Sequence, residues 1–128
     1  MFQGKTLSLT EIENGFAELN FDNQSGSVNK FNIETLAELR EAIKALKANT
    51  DIRGLLLTSN KSVFVVGADI TEFKQMFAFP REEFIAGAKS VNDLFSEIED
   101  LPMPTVAAIN GYALGGGFEI CLACDNRV

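Results

Sequence analysis

Apolar positions along the first half of the chain switch between two periods. Leu7 and Leu9 alternate with polar neighbours, and Ala17, Leu19 and Phe21 alternate again. Between them lies Asn14-Gly15, a dipeptide that accepts positive φ, so the pattern predicts an N-terminal hairpin closed by a two-residue turn. Residues 22–31, with Gly26 and nearby asparagines, read as a loop. Asn32 then stands as an N-cap before Leu36, Leu39, Ile43 and Leu46, which recur at spacings of three, four and three and predict a helix ending near Asn49. Gly54 to Thr58 is a short continuous apolar run between turn residues, as in a parallel-sheet strand covered on both faces.

The second half repeats this order. Val63-Phe64-Val65-Val66 reads as an apolar strand cut by Gly67-Ala68-Asp69, and Asp69 can cap a short helix over Thr71 to Phe77. Phe79-Pro80 ends that helix. Phe84, Ala88, Val91, Leu94 or Phe95, and Ile98 form one face of the next helix, which Leu101-Pro102-Met103-Pro104 stops. Val106 to Ile109 predicts a second buried strand, Gly111 to Gly117 a glycine-rich turn, Phe118 to Cys124 a short helix, and Asn126 to Val128 the approach to another strand. The expectation is one α/β domain of repeated strand and helix units over residues 1–128, cut short at its C-terminus.

Composition supports a packed domain. With 46% hydrophobic and 23% charged residues, the chain of 128 can bury a real core, which excludes intrinsic disorder and a small disulfide scaffold. Eleven basic against 18 acidic residues give a net charge of −7, whose field repels polyanions, so no nucleic-acid partner is expected. No apolar run is long enough for a membrane span. Met1 to Lys5 shows no basic region leading into an apolar stretch, and the expected location is cytoplasmic. The absence of histidine removes Ser-His-Asp and Cys-His mechanisms, and two cysteines alone cannot complete a tetrahedral zinc site, so no metal is expected. Acid–base chemistry falls to carboxylates, lysines or Tyr112.

Two segments are built for such chemistry. In Asn110-Gly111-Tyr112-Ala113-Leu114-Gly115-Gly116-Gly117-Phe118-Glu119, a strand end meets a turn of three consecutive glycines with a carboxylate two residues into a helix. Glycines admit a ligand close to the backbone, and the free N–H groups of a helix start can face an oxygen that becomes negative. A Walker loop would need Lys-Ser/Thr after the last glycine, and a dinucleotide fingerprint starting at Gly115 would need glycine where Ile120 stands. A plain strand-to-helix turn with a surface Glu119 is the alternative. Val65-Val66-Gly67-Ala68-Asp69-Ile70 is a second glycine turn before a helix, with Asp69 read as an ordinary N-cap. Donors from two separate turns can bracket one oxygen. Cys121-Leu122-Ala123-Cys124 has dithiol spacing, but it lies within an apolar helix near Glu119 and Asp125, so two buried hydrophobes outweigh the redox reading. Lys30, Lys61 and Lys74 read as solvated charges, any of which could meet a phosphate.

At these two turns the chain resembles the crotonase, or enoyl-CoA hydratase/isomerase, family. The likeness extends through Gly26-Ser27-Val28-Asn29-Lys30-Phe31, Val66 to Phe73 and Leu101-Pro102-Met103-Pro104-Thr105, and looks nearest to the N-terminal hydratase domain of bacterial multifunctional fatty acid oxidation subunits. The resemblance implies a crotonase-like fold of repeated β-β-α units, of which this is the N-terminal portion. It implies hydration of a 2-enoyl-CoA in β-oxidation, alternatively Δ3-Δ2 isomerisation or an inactive acyl-CoA-binding fragment. The thioester oxygen would be held by the N–H groups of Ala68 and Gly116, with Glu119 catalytic and Gly67, Asp69, Ile70 and Gly115 against the substrate. Phe118 departs from the small residue often found before the glutamate. A second carboxylate would lie beyond Val128, leaving residues 1–128 alone inactive. Coenzyme A enters as substrate rather than cofactor, NAD would belong only to an absent dehydrogenase domain, and a thiolase subunit would be the partner.

Overall fold

A computed structural model describes the whole chain, Met1–Val128. In chain order its elements are β1 (Phe2–Gln3), β2 (Leu7–Glu11), β3 (Phe16–Phe21), α1 (Ile33–Ala48), β4 (Gly54–Ser59), α2 (Ile70–Phe77), α3 (Arg81–Glu99), β5 (Thr105–Ala107), α4 (Gly116–Ala123) and β6 (Asn126–Arg127). The strands form one mixed sheet in sequence order. β1, β2 and β3 pair antiparallel, while β3 to β6 run parallel.

The expected hairpin is present, with Leu7 opposite Phe21 and Leu9 opposite Leu19. Its turn is longer than expected. Ile12 N–H donates to the Phe16 carbonyl at 2.7 Å, which leaves Glu13–Gly15 as a 3-10 turn. Both Asn14 (φ 63°) and Gly15 (φ 79°) take the left-handed conformation to reverse the chain. β1, at two residues, is too short to show alternation in the sequence. It is bound in place from α1: the Glu38 carboxylate accepts hydrogen bonds from the N–H groups of Lys5, Thr6 and Leu7 and from the Thr6 hydroxyl, at 2.6–3.2 Å.

One sheet face is core. Leu7, Leu9, Ala17, Leu19, Phe21, Leu55, Leu57 and Ala107 are buried together with Leu39, Ile43 and Leu46 of α1 and Leu94, Phe95 and Ile98 of α3. Each such large side chain contributes about 1.5–3 kcal/mol by leaving water. The expectation that β4 is covered on both faces does not hold: Leu56 and Thr58, which point the other way, are only half-buried. That face carries a polar ladder instead, with Thr58 Oγ1 donating to Glu18 Oε1 and accepting from Asn20 Nδ2, both at 2.7 Å.

Asn32 caps α1 as expected, its Oδ1 accepting from Thr35 N–H at 2.7 Å. Val63–Val66, however, is not a strand. Its backbone groups go to different segments: Phe64 N–H to Tyr112, Leu114 N–H to Val65, Val66 N–H to Asn29, all near 3 Å. No single neighbour runs alongside it, so only isolated bridges form, Val65 with Ala113 and Phe31 with Ala68. On α3 the periodic face divides. Leu94, Phe95 and Ile98 are buried, whereas Ala88 is exposed and, with Val91, borders a cavity. Phe84 stacks on Phe77, and Phe77 on Phe73, with ring centroids 6.1 and 6.3 Å apart. No helix is long and apolar enough to cross a membrane.

Candidate active site

The first turn is shaped by loop 22–31. Gly67 sits at φ +94°, and its carbonyl accepts Phe31 N–H at 2.7 Å. A Cβ at Gly67 would meet the Leu114 carbonyl oxygen at 3.0 Å, in a conformation L side chains rarely adopt. Asp69 is the N-cap of α2, with Oδ1 accepting from Thr71 N–H at 2.9 Å and from the Thr71 hydroxyl at 2.6 Å. Its other oxygen pairs with Lys30 at 3.1 Å. The Thr71 hydroxyl first, then Lys30, hold the Asp69 carboxyl below its ordinary value. Lys61 likewise pairs with Asp22, at 3.2 Å, rather than standing as a solvated charge.

The second turn depends on missing side chains. Gly115 (φ 54°) precedes α4, which begins at Gly116, so Glu119 is the fourth helical residue rather than the second. A Cβ on Gly117 would collide with the Val65 carbonyl, and only glycine lets α4 lie against that strand-like segment. Within the first helical turn, Gly117 N–H donates to Leu114, and the N–H groups of Phe118 and Glu119 donate to Gly115, at 2.9–3.0 Å. Gly116 N–H donates to no protein acceptor, and neither does Ala68 N–H.

Both turns border one cavity of about 650 Å³, which gathers Gly67, Ala68, Asp69, Ile70, Gly115, Gly116 and Glu119. The opposite wall is apolar, with Leu36 of α1, Phe73 and Met76 of α2, and Val91 and Phe95 of α3. An apolar wall facing two unpaired amide donors suits a ligand with a hydrocarbon part and one polarisable oxygen.

Three carboxylates line this cavity, and two are committed. Asp69 caps α2, and Glu72 Oε1 accepts Ile33 N–H at 3.0 Å, satisfying a free donor at the start of α1. That tie joins residues 39 apart, and no local pattern could have disclosed it. Glu119 is exposed and its carboxylate makes no hydrogen bond or ion pair within the protein, and it also borders a smaller hollow of about 320 Å³ beside Asn92 and Glu99.

The cysteines are structural. Cys121 donates to Gly117 O at 3.1 Å and Cys124 to Ile120 O at 3.5 Å, one helical turn back in each case. Burial pushes both thiols up, Cys124 to about 11, so neither supplies much thiolate at neutral pH.

Known proteins resemble this chain along almost its whole length. The family model described as enoyl-CoA hydratase/isomerase matches residues 11–128. The chain is 56% identical over its whole length to a fatty acid oxidation complex subunit alpha from Pseudomonas aeruginosa (strain LESB58), and spans 18% of that relative's length. Among solved structures, it is similar to an enoyl-CoA hydratase from Shewanella pealeana (26% identity, TM-score 0.87), covering 95% of this chain and 45% of that one. An enoyl-CoA hydratase from Bacillus halodurans superposes with a TM-score of 0.82 at 31% identity, covering 95% of this chain and 49% of the other.

Proposed function

This chain belongs to the enoyl-CoA hydratase/isomerase family, and from that premise we propose that its cavity takes a 2-enoyl-CoA thioester and supports addition of water to give the 3-hydroxyacyl-CoA of fatty acid β-oxidation. The observation that supports this reading is the pair of amide donors without protein acceptors, Ala68 and Gly116, on the cavity that also holds Glu119. As water adds at C3, electron density moves onto the thioester oxygen, and two fixed N–H groups there stabilise the enolate. Loss of one donor raises such a barrier by about 3 kcal/mol. Glu119, its carboxylate free of competing bonds, supplies one of the two groups that position water and move the proton. Gly67, Asp69, Ile70 and Gly115 flank the bound thioester. The relatives' name, fatty acid oxidation complex subunit alpha, supports a place in such a complex, and we extend the proposal to a multifunctional subunit with a thiolase subunit as partner.

Hydration needs one group to orient water and another to manage the proton, and Glu119 is the one uncommitted carboxylate on the cavity. Residues 1–128 alone therefore turn over no appreciable substrate. The test follows loss of crotonyl-CoA absorbance by the full-length protein. Glu119→Gln keeps shape but removes the proton acceptor, and the rate falls about 10²–10⁴-fold. A near-native rate in that variant removes Glu119 from the mechanism. A 3-enoyl-CoA given to the same protein separates isomerisation from hydration.

A further inference from the structure

Asn29 is 2% exposed and lies where three segments meet. Its Oδ1 accepts Asn23 N–H at 2.9 Å, and its Nδ2 lies 3.2 Å from Phe21 O, 2.8 Å from Ser59 Oγ and 2.9 Å from Phe64 O. Its own carbonyl accepts Val66 N–H at 2.9 Å. Two residues on, Phe31 donates to Gly67 O at 2.7 Å and accepts Asp69 N–H at 3.4 Å. Residues 29 and 31 thus grip Phe64, Val66, Gly67 and Asp69, on both sides of Ala68. Closing the loop does not require this, because the Asn23 side chain already accepts Ser25 N–H and donates to Val28 O.

The geometry has a consequence at Ala68. In a planar trans peptide the C=O and N–H point in opposite directions. With Gly67 O drawn onto Phe31 N–H, the Ala68 N–H of the same peptide points the other way. We propose that Asn29 is a positioning residue for the reaction, fixing through Phe64, Val66 and Phe31 the direction in which Ala68 N–H meets the thioester oxygen. This rests on the reading of Ala68 as a donor to that oxygen. Hydrogen bonds weaken steeply with misalignment, and a displacement near 1 Å at a reacting group costs about 10²-fold in rate.

The experiment uses the full-length protein and the infrared carbonyl frequency of a bound acyl-CoA, with turnover measured in parallel. In the wild type the thioester carbonyl shifts to lower frequency on binding. Asn29→Ala loses most of that shift, and kcat falls about 10–100-fold, while affinity for unacylated coenzyme A stays within about threefold. Glu38→Gln, remote from the cavity, serves as the stability control and leaves the shift and kcat unchanged. If Asn29→Ala does not fold, Ser59→Ala decides, because the Ser59 hydroxyl accepts from Asn29 and donates to Val63 O at 2.8 Å. A folded Asn29→Ala or, in its place, Ser59→Ala with the wild-type shift overturns the proposal. A wild type that shows no shift overturns instead the donor reading beneath it.

Discussion

The turn at Gly67–Asp69 is held by polar groups brought from elsewhere, namely the Asn29 and Phe31 backbone, the Lys30 ammonium and the Thr71 hydroxyl, whereas the turn at Gly115–Gly117 is held by the lack of side chains. Both present one unpaired amide to the same cavity. The first is built mainly by adding partners around Gly67. The second is built by removing atoms, and at Gly117 it tolerates none. One site therefore has two failure modes, one chemical and one steric.

The steric side gives the largest effect. Gly117→Ala places a methyl group on the Val65 carbonyl, which α4 cannot relieve without leaving Val65, and the expected cost is about 3 kcal/mol or more, read as a lowered unfolding midpoint or loss of folded protein. A variant that melts like the wild type breaks the comparison. Gly67→Ala measures the steric element of the polar turn. Its φ of +94° is strained for alanine, and a loss of about 1–3 kcal/mol is expected by the same measurement. Cys124→Ala is milder. It removes a buried sulfur from the C-cap of α4 without touching the turn, so about 1 kcal/mol of stability goes and turnover stays unchanged. In the wild type, alkylation at pH 7 is slow because Cys124 titrates near 11.

The smallest effect is confined to the polar turn. Asp69 in the folded state titrates below its ordinary 3.8, so its support of α2 is complete above that value and is lost as pH falls through the lower folded one. The Thr71 amide resonance should move with a midpoint below 3.8, while the Gly117 amide, which donates to the Leu114 carbonyl rather than to a carboxylate, moves less. Glu38 behaves with the same sign. Burial pushes its carboxyl up, but the Thr6 hydroxyl and the N–H groups of Lys5, Thr6 and Leu7 outweigh this and hold it below 4.5. The hold on β1 thus weakens only in acid below that value.

What the sequence disclosed follows the range of the interactions. Asn32 and Asp69 were legible as caps because each bonds backbone two or three residues away. The helix faces of α1 and the C-terminal half of α3 were legible because burial imprints a period. The glycines at 67 and 115–117 marked the turns, although spacing could not reveal that two amides are left without acceptors. Val63–Val66 misled because apolar content records burial, not which backbone groups are paired, and these divide between two segments, Asn29 and Tyr112–Leu114. Glu72 to Ile33, Glu38 to the β1–β2 connection and Asn29 to Phe64 span 31 to 39 residues. Contacts that long leave no local trace.

The Gly67 and Gly115 backbones lie against each other beside the cavity, and the positive φ of both, rather than a lack of room between them, keeps side chains out. Phe73 and Met76 on the opposite wall belong to a helix with no buried residue. An evolving sequence thus meets a lineage constraint on one side and open variation on the other. Random libraries across α2 should yield many folded proteins of altered acyl preference, and libraries across the glycine turns almost none, so selectivity can drift through mutation while the chemistry is inherited intact.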